Sequence, residues 1–173
     1  MKLQRVYYKS SREKAPRGKD FLYEDEGKKG TELLVYHYWI CFDDICLYYS
    51  PLEISLSVCE APPLDATPFN ITYNAMLYEE MHDSFIGAEL KGILNCGDSE
   101  LLFFLLFDNG NHIYFEKFIG RILEPPIENP YGRLYFETAA ADTEGLDWLM
   151  PHCKVISGEE VYKKRLEIGQ TVT

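Results

Sequence analysis

The sequence predicts an α+β fold, mainly antiparallel sheet with one long helix over about residues 72–94 and a short C-terminal helix over about 158–167. Three observations predict it. Aromatic and β-branched residues crowd into short runs, with 13 Tyr and 10 Phe against 2 Trp, and such side chains suit half-buried strand surfaces. Two pairs of these runs are separated only by turn residues, Asp43-Asp44 and Asn109-Gly110. Between the two hairpins the hydrophobic period changes from that of a strand to that of a helix. Strands with interspersed helices define the class.

Residues 3–8 form a strand of mixed pattern. Residues 9–30 follow as a mobile basic and polar loop or arm carrying Pro16, Gly18, Gly27 and Gly30, unless part of it pairs around Phe21-Leu22-Tyr23. Leu33–Phe42 and Ile45–Ser50 make the first hairpin. A two-residue turn sets Phe42 opposite Ile45 and Cys41 opposite Cys46. Glu53–Glu60 alternates, with Ile54, Leu56 and Val58 on one face, as a half-buried strand does. Pro62, Pro63 and Pro68 then impose a loop.

Tyr73, Met76, Leu77, Met81, Phe85, Ala88 and Leu90 trace the helical stripe, with Thr72 as N-cap and a stop at Asn95–Gly97. Asn109-Gly110 between apolar runs signals a hairpin over 101–118. A two-residue turn there pairs Phe107 with His112, Leu105 with Tyr114 and Leu106 with Ile113. Both faces of that hairpin are apolar, so it belongs in mid-sheet, with a helix on one side and more protein or a partner on the other. Pro125, Pro126 and Pro130 mark a loop, Arg133–Glu137 a short strand, and Thr143–Met150 a helical turn burying Trp148. Ser157 and Glu160 have the spacing of a capping box.

The totals bound the rest. A chain of 173 residues, 46% apolar and without repeats, makes one globular domain. No apolar run near Met1 serves as a signal peptide, and none spans a membrane. Five Cys, an odd count without C-x-x-C spacing, fit a reducing cytoplasm, where they are small buried hydrophobes. On that reading Asn70-Ile71-Thr72 is an accidental sequon. Neither a dinucleotide fingerprint nor a P-loop occurs, so no cofactor and no metal are expected.

Charge is the strongest functional signal. The net charge is -11, and residues 31–116 hold 14 carboxylates against the single cation Lys91. The first 30 residues hold 9 Lys/Arg against 5 Asp/Glu. An acidic body repels phosphate backbones and anionic lipid and steers basic partners toward itself. The basic residues Lys9, Arg12, Lys14, Arg17 and Lys19 then fold back as internal counter-ions.

The sequence thus points to an acidic inhibitor of a basic, nucleic-acid-handling protein, such as a nuclease. Immunity proteins against nuclease toxins and phage-encoded anti-defence inhibitors meet the same physical demand. Asp43, Asp44, Glu79, Glu80 and Asp83 are the expected partner-binding residues. An alternative is a small enzyme whose site is assembled from scattered residues, with His37, His112 and a carboxylate, or with Cys96 or Cys153 beside His112. A third expectation is a homodimer through the 101–118 hairpin.

Overall fold

Runs rich in aromatic and β-branched residues build sheet over more than half of the described residues. The computed structural model describes residues 1–25, 27–69, 83–97, 101–116, 133–138, 151, 153–164 and 167–172. Of these, 55% are strand and 9% helical. The strands are β1 (Leu3–Lys14), β2 (Tyr23–Asp25), β3 (Lys28–Gly30), β4 (Glu32–Phe42), β5 (Cys46–Ser50) and β6 (Ser55–Cys59). They continue with β7 (Thr67–Pro68), β8 (Leu90–Asn95), β9 (Leu101–Phe107), β10 (His112–Glu116), β11 (Arg133–Glu137) and β12 (Lys154–Ser157). One sheet has the order β6-β5-β4-β1-β7 and the other β11-β10-β9-β8-β12, while β2 and β3 pair as a separate hairpin. Among the described residues every strand pairing is antiparallel.

The two large sheets pack face to face through aromatic rings. Phe115 of β10 meets Tyr49 at 4.5 Å and Tyr38 at 6.4 Å between ring centroids, across the sheet interface. Phe69 and Phe85 both close on Phe136, and Phe42 stacks on Phe107. Ile40, Leu47, Leu56, Val58, Ile93, Leu105 and Ile113 fill the space between and are fully buried. The even-numbered residues of β4 (Tyr36, Tyr38, Ile40, Phe42) join this core, so its odd-numbered ones face outward.

The α+β expectation is therefore corrected to a mainly antiparallel sheet fold. Where a helix is expected over 72–94, the described part holds a 3-10 turn, Asp83–Phe85, and then strand β8; residues 70–82 lie outside the described residues. Two glycines show why. Gly87 takes a φ of +81°, which ends any helix there. Gly92 lets β12 approach, since a Cβ would stand 3.0 Å from the Ile156 carbonyl oxygen. Consecutive Ile93 and Leu94 are both buried, one toward each sheet face, so β8 shows no strand alternation.

The helix at the C-terminal end, α1, covers Gly158–Lys164 and is the one helix of seven or more residues among those described. Its capping box forms: Ser157 N donates to Glu160 Oε2 at 2.9 Å, and Glu160 N donates to Ser157 Oγ at 3.1 Å. Gly158 is required here because any Cβ would collide with the Leu90 carbonyl oxygen. The helical turn expected at Thr143–Met150 and the loop at 125–130 lie outside the described residues.

The first hairpin has the expected register, with Cys41 opposite Cys46 and Phe42 N donating to the Ile45 carbonyl at 2.7 Å. The second is shifted by one residue, and His112 stands opposite Leu106. Its turn has three residues, Asp108 to Gly110, closed by Phe107 N donating to the Asn111 carbonyl at 3.0 Å. Gly110, with φ of +84°, supplies the left-handed residue that such a loop needs. The hairpin lies in mid-sheet, but the first sheet, β6-β5-β4-β1-β7, rather than a helix covers its inner face. β1 also runs past residue 8 to Lys14, because β4 pairs with it along its length.

Candidate functional site

Three turns bring carboxylates to one end of the sandwich. The β4–β5 turn is held to the start of β1 by Lys2 N, which donates to Asp43 Oδ1 at 3.2 Å. The backbone of Lys2 pairs with that of Glu89 in an isolated antiparallel β-bridge. Glu89 N in turn donates to Asp108 Oδ1 at 2.9 Å, and Asp108 N donates to the Glu89 carbonyl at 2.9 Å. Asn109 Nδ2 reaches the Ser84 carbonyl at 2.9 Å and Asn111 Nδ2 reaches Ser84 Oγ at 2.8 Å, which fixes the Asp83–Phe85 turn alongside. Asp43, Asp44, Asp83, Glu89 and Asp108 are all exposed there.

Of the expected partner-binding residues, Asp43, Asp44 and Asp83 thus share one end. Glu79 and Glu80 lie outside the described residues. Glu89 and Asp108 join the group, and sequence reasoning did not single them out. The signal available was Asp108 itself, directly before the Asn-Gly turn. One basic residue of the early segment folds back: Lys9 Nζ pairs with Asp65 Oδ2 at 2.7 Å. Lys29 lies over the Phe21 ring at 4.3 Å, inside the same segment.

A second polar constellation lies on the outer face of the first sheet. His37 Nε2 is 2.8 Å from Ser11 Oγ, His37 Nδ1 is 2.7 Å from Tyr48 OH, and Ser11 Oγ donates to Glu13 Oε1 at 2.6 Å. Ser11 has one proton, and Glu13 takes it. His37 then donates through Nε2–H to Ser11, and Nδ1 accepts from Tyr48. The ring is sandwiched with Tyr48, 5.9 Å away and nearly parallel at 9°, and Trp39 stacks on Tyr48 at 5.2 Å.

Burial lowers the His37 pKa below its ordinary value of 6.5 and outweighs the nearby Glu13 carboxylate, which pulls it up. Burial likewise raises the Tyr48 pKa, opposed by a hydrogen bond from Ser50. The resting network is therefore neutral imidazole between a phenol and a serine-bound carboxylate. It can pass a proton along its length. It does not hold Ser11 as a nucleophile, because the serine proton lies on the carboxylate side and not on the imidazole.

His112 does not join it. It is buried on the outer face of the other sheet, near Phe104 and Tyr114, with the whole core between it and His37. Burial lowers its pKa too, against the pull of the Gly110 backbone and Glu137.

The cysteines depart from the expectation of five separate buried hydrophobes. Cys41 is bonded to Cys46 and Cys96 to Cys153, and only Cys59 is free among them. That removes Cys96 and Cys153 as nucleophiles beside His112. The spacing gave no hint of the 96–153 bridge, because β12 returns to β8 from 57 residues away. Burial pushes the Cys59 thiol up to about 11. Among the described residues, no group of three or more His, Cys, Asp or Glu converges as metal ligands would, and no helix is long and apolar enough to cross a membrane.

Comparison with family models, with curated proteins and with solved structures finds no match for this chain.

Proposed function

We propose that the chain is an acidic protein-binding module that occupies a cationic site on a basic partner, acting as an inhibitor of a nuclease or another nucleic-acid-handling protein. One observation carries this reading. Asp43, Asp44, Asp83 and Asp108 come from three separate turns, Glu89 stands just before β8 beside them, and all five are exposed together at one end of the sandwich. A site that grips phosphates is cationic, so carboxylates fixed on a rigid scaffold mimic its ligand and speed the encounter. Toxin immunity and anti-defence inhibition both fit this physics. The two disulfides favour an oxidising compartment over the cytoplasm expected from the cysteine count.

The test is the ionic-strength dependence of association with a basic protein captured by this chain. Raising salt from about 0.02 to 0.2 M should slow association roughly tenfold or more, because the Debye length falls across that range. The triple variant D44N/D83N/E89Q should slow association similarly at low salt and change dissociation less. An association rate indifferent to salt rules the reading out.

A second reading, an enzyme using a scattered site, is favoured by the Glu13–Ser11–His37–Tyr48 hydrogen-bond chain. Loss of a turnover on His37→Ala would support it. A homodimer through the 101–118 hairpin has less support, since the inner side of that hairpin is already spent on the sandwich core.

A further inference from the structure

Three cysteines stand in a row across adjacent strands. β4, β5 and β6 are neighbours, and in their registers Cys41 lies opposite Cys46 and Cys46 opposite Cys59. All three side chains share one outer-face cluster with Trp39, Tyr7 and Tyr48. Cys46 is therefore flanked by a sulfur on each side, along the direction perpendicular to the strands.

The two pairings differ in kind. Phe42 N bonds the Ile45 carbonyl, so the next pair, Cys41 and Cys46, is the non-hydrogen-bonded type, with its Cα atoms only 4.0 Å apart. On β6, Val58 turns its N–H and carbonyl outward, to Gln170 and Gly169. Cys59 therefore turns its own toward β5, and Cys46–Cys59 is a hydrogen-bonded pair. Such pairs have Cα atoms about 5.5 Å apart, inside the range a disulfide spans. Either neighbour can bridge to Cys46, and the closer one holds it.

We propose that Cys59, Cys46 and Cys41 form an internal thiol–disulfide exchange site, in which Cys59 displaces Cys41 from Cys46. The Cys59 thiol gives its proton to solvent, and the thiolate attacks Cys46 Sγ from the side opposite Cys41. The Cys46–Cys59 bond forms as the Cys41–Cys46 bond breaks. Cys41 leaves as a thiolate and takes up a proton. One disulfide and one thiol are present before and after, so no oxidant or reductant is consumed. The exchange unties the strand pair that flanks the Asp43-Asp44 turn and ties β5 to β6 instead. It also moves the free thiol from the half-buried Cys59 to the buried Cys41. Burial pushes the Cys59 pKa up to about 11 and keeps it mostly protonated, so exchange is slow at neutral pH.

Peptide mapping of the whole oxidised chain tests this. The protein is incubated at graded pH, quenched in acid, denatured and labelled with a maleimide. Label should pass in part from Cys59 to Cys41, at a rate rising about tenfold per pH unit on the acid side of the Cys59 pKa. In C59S, Cys41 should stay unlabelled. Label confined to Cys59 at every pH overturns the proposal, as does equal labelling of Cys41 in C59S. The variant C41S tests the geometry separately. Treated with glutathione disulfide, it should close a Cys46–Cys59 bridge and lose both free thiols; two persisting thiols overturn the proposal as well.

Discussion

His37 shows how one residue ties stability to pH. Its imidazole sits between Tyr48 and Ser11, and burial lowers its pKa below 6.5 despite Glu13. A base whose folded pKa is depressed binds fewer protons folded than unfolded in the window below 6.5. Stability therefore rises with pH through that window, is fully present above it, and is lost on acidification toward the folded pKa. His112 acts in the same direction from the other sheet. Comparing wild type with His37→Gln by urea denaturation at about pH 7.5 and 5 isolates the first contribution. Wild type should lose more stability on acidification than the variant. An equal loss would show that His37 is protonated as readily folded as unfolded. None of this was legible in the sequence, because Ser11 and His37 are 26 residues apart and meet only through strand pairing. The order of charges along the chain identifies Glu13 as an acid and says nothing of the ring it faces.

At the scale of elements, turn chemistry decided what could be read. Asp43-Asp44 predicts a two-residue turn, and the register it implies, Cys41 opposite Cys46, is the one formed. Asn109-Gly110 signals a turn equally well, but the chain spends a third residue, Asp108, whose carboxylate accepts from Glu89 N. That tertiary bond, with the Asn109 and Asn111 amides on Ser84, selects the longer loop and shifts the register by one. Gly110 then carries the left-handed φ alone. Gly110→Ala should cost about 1 kcal/mol or more, since the substitution is strained at positive φ. The denaturant midpoint measures it, and an unchanged midpoint would show that the loop relaxes to another turn. The helix expected over 72–94 failed for a related reason. Its apolar spacing allowed a helix, but Gly87 and Gly92 serve a turn and a close strand approach that no single-strand periodicity records.

At the scale of the whole molecule, the aromatic content predicts sheet, while the way two sheets face each other follows only from pairing. Phe115 belongs to an apolar run that reads equally well on either face, and the one-residue shift decides which. In the structure it is fully buried and its ring lies at the join, with Tyr49, Tyr38 and Phe103 around it. The acidic end depends on the same join, because its turns belong to strands of both sheets. Asp43 and Asp44 follow β4, whereas Asp108 follows β9. Their convergence was thus only half legible: the charges are visible in the sequence, their common end is not. Phe115→Ala should cost about 3–5 kcal/mol, the range for deleting a buried aromatic ring from a packed core. Binding of a basic partner by the folded fraction should weaken with it, as the two sheets lose their fixed relation. Denaturation midpoints give the first effect and salt-dependent association rates the second. A destabilised variant that kept the full association rate would mean that the carboxylates of one sheet suffice for steering.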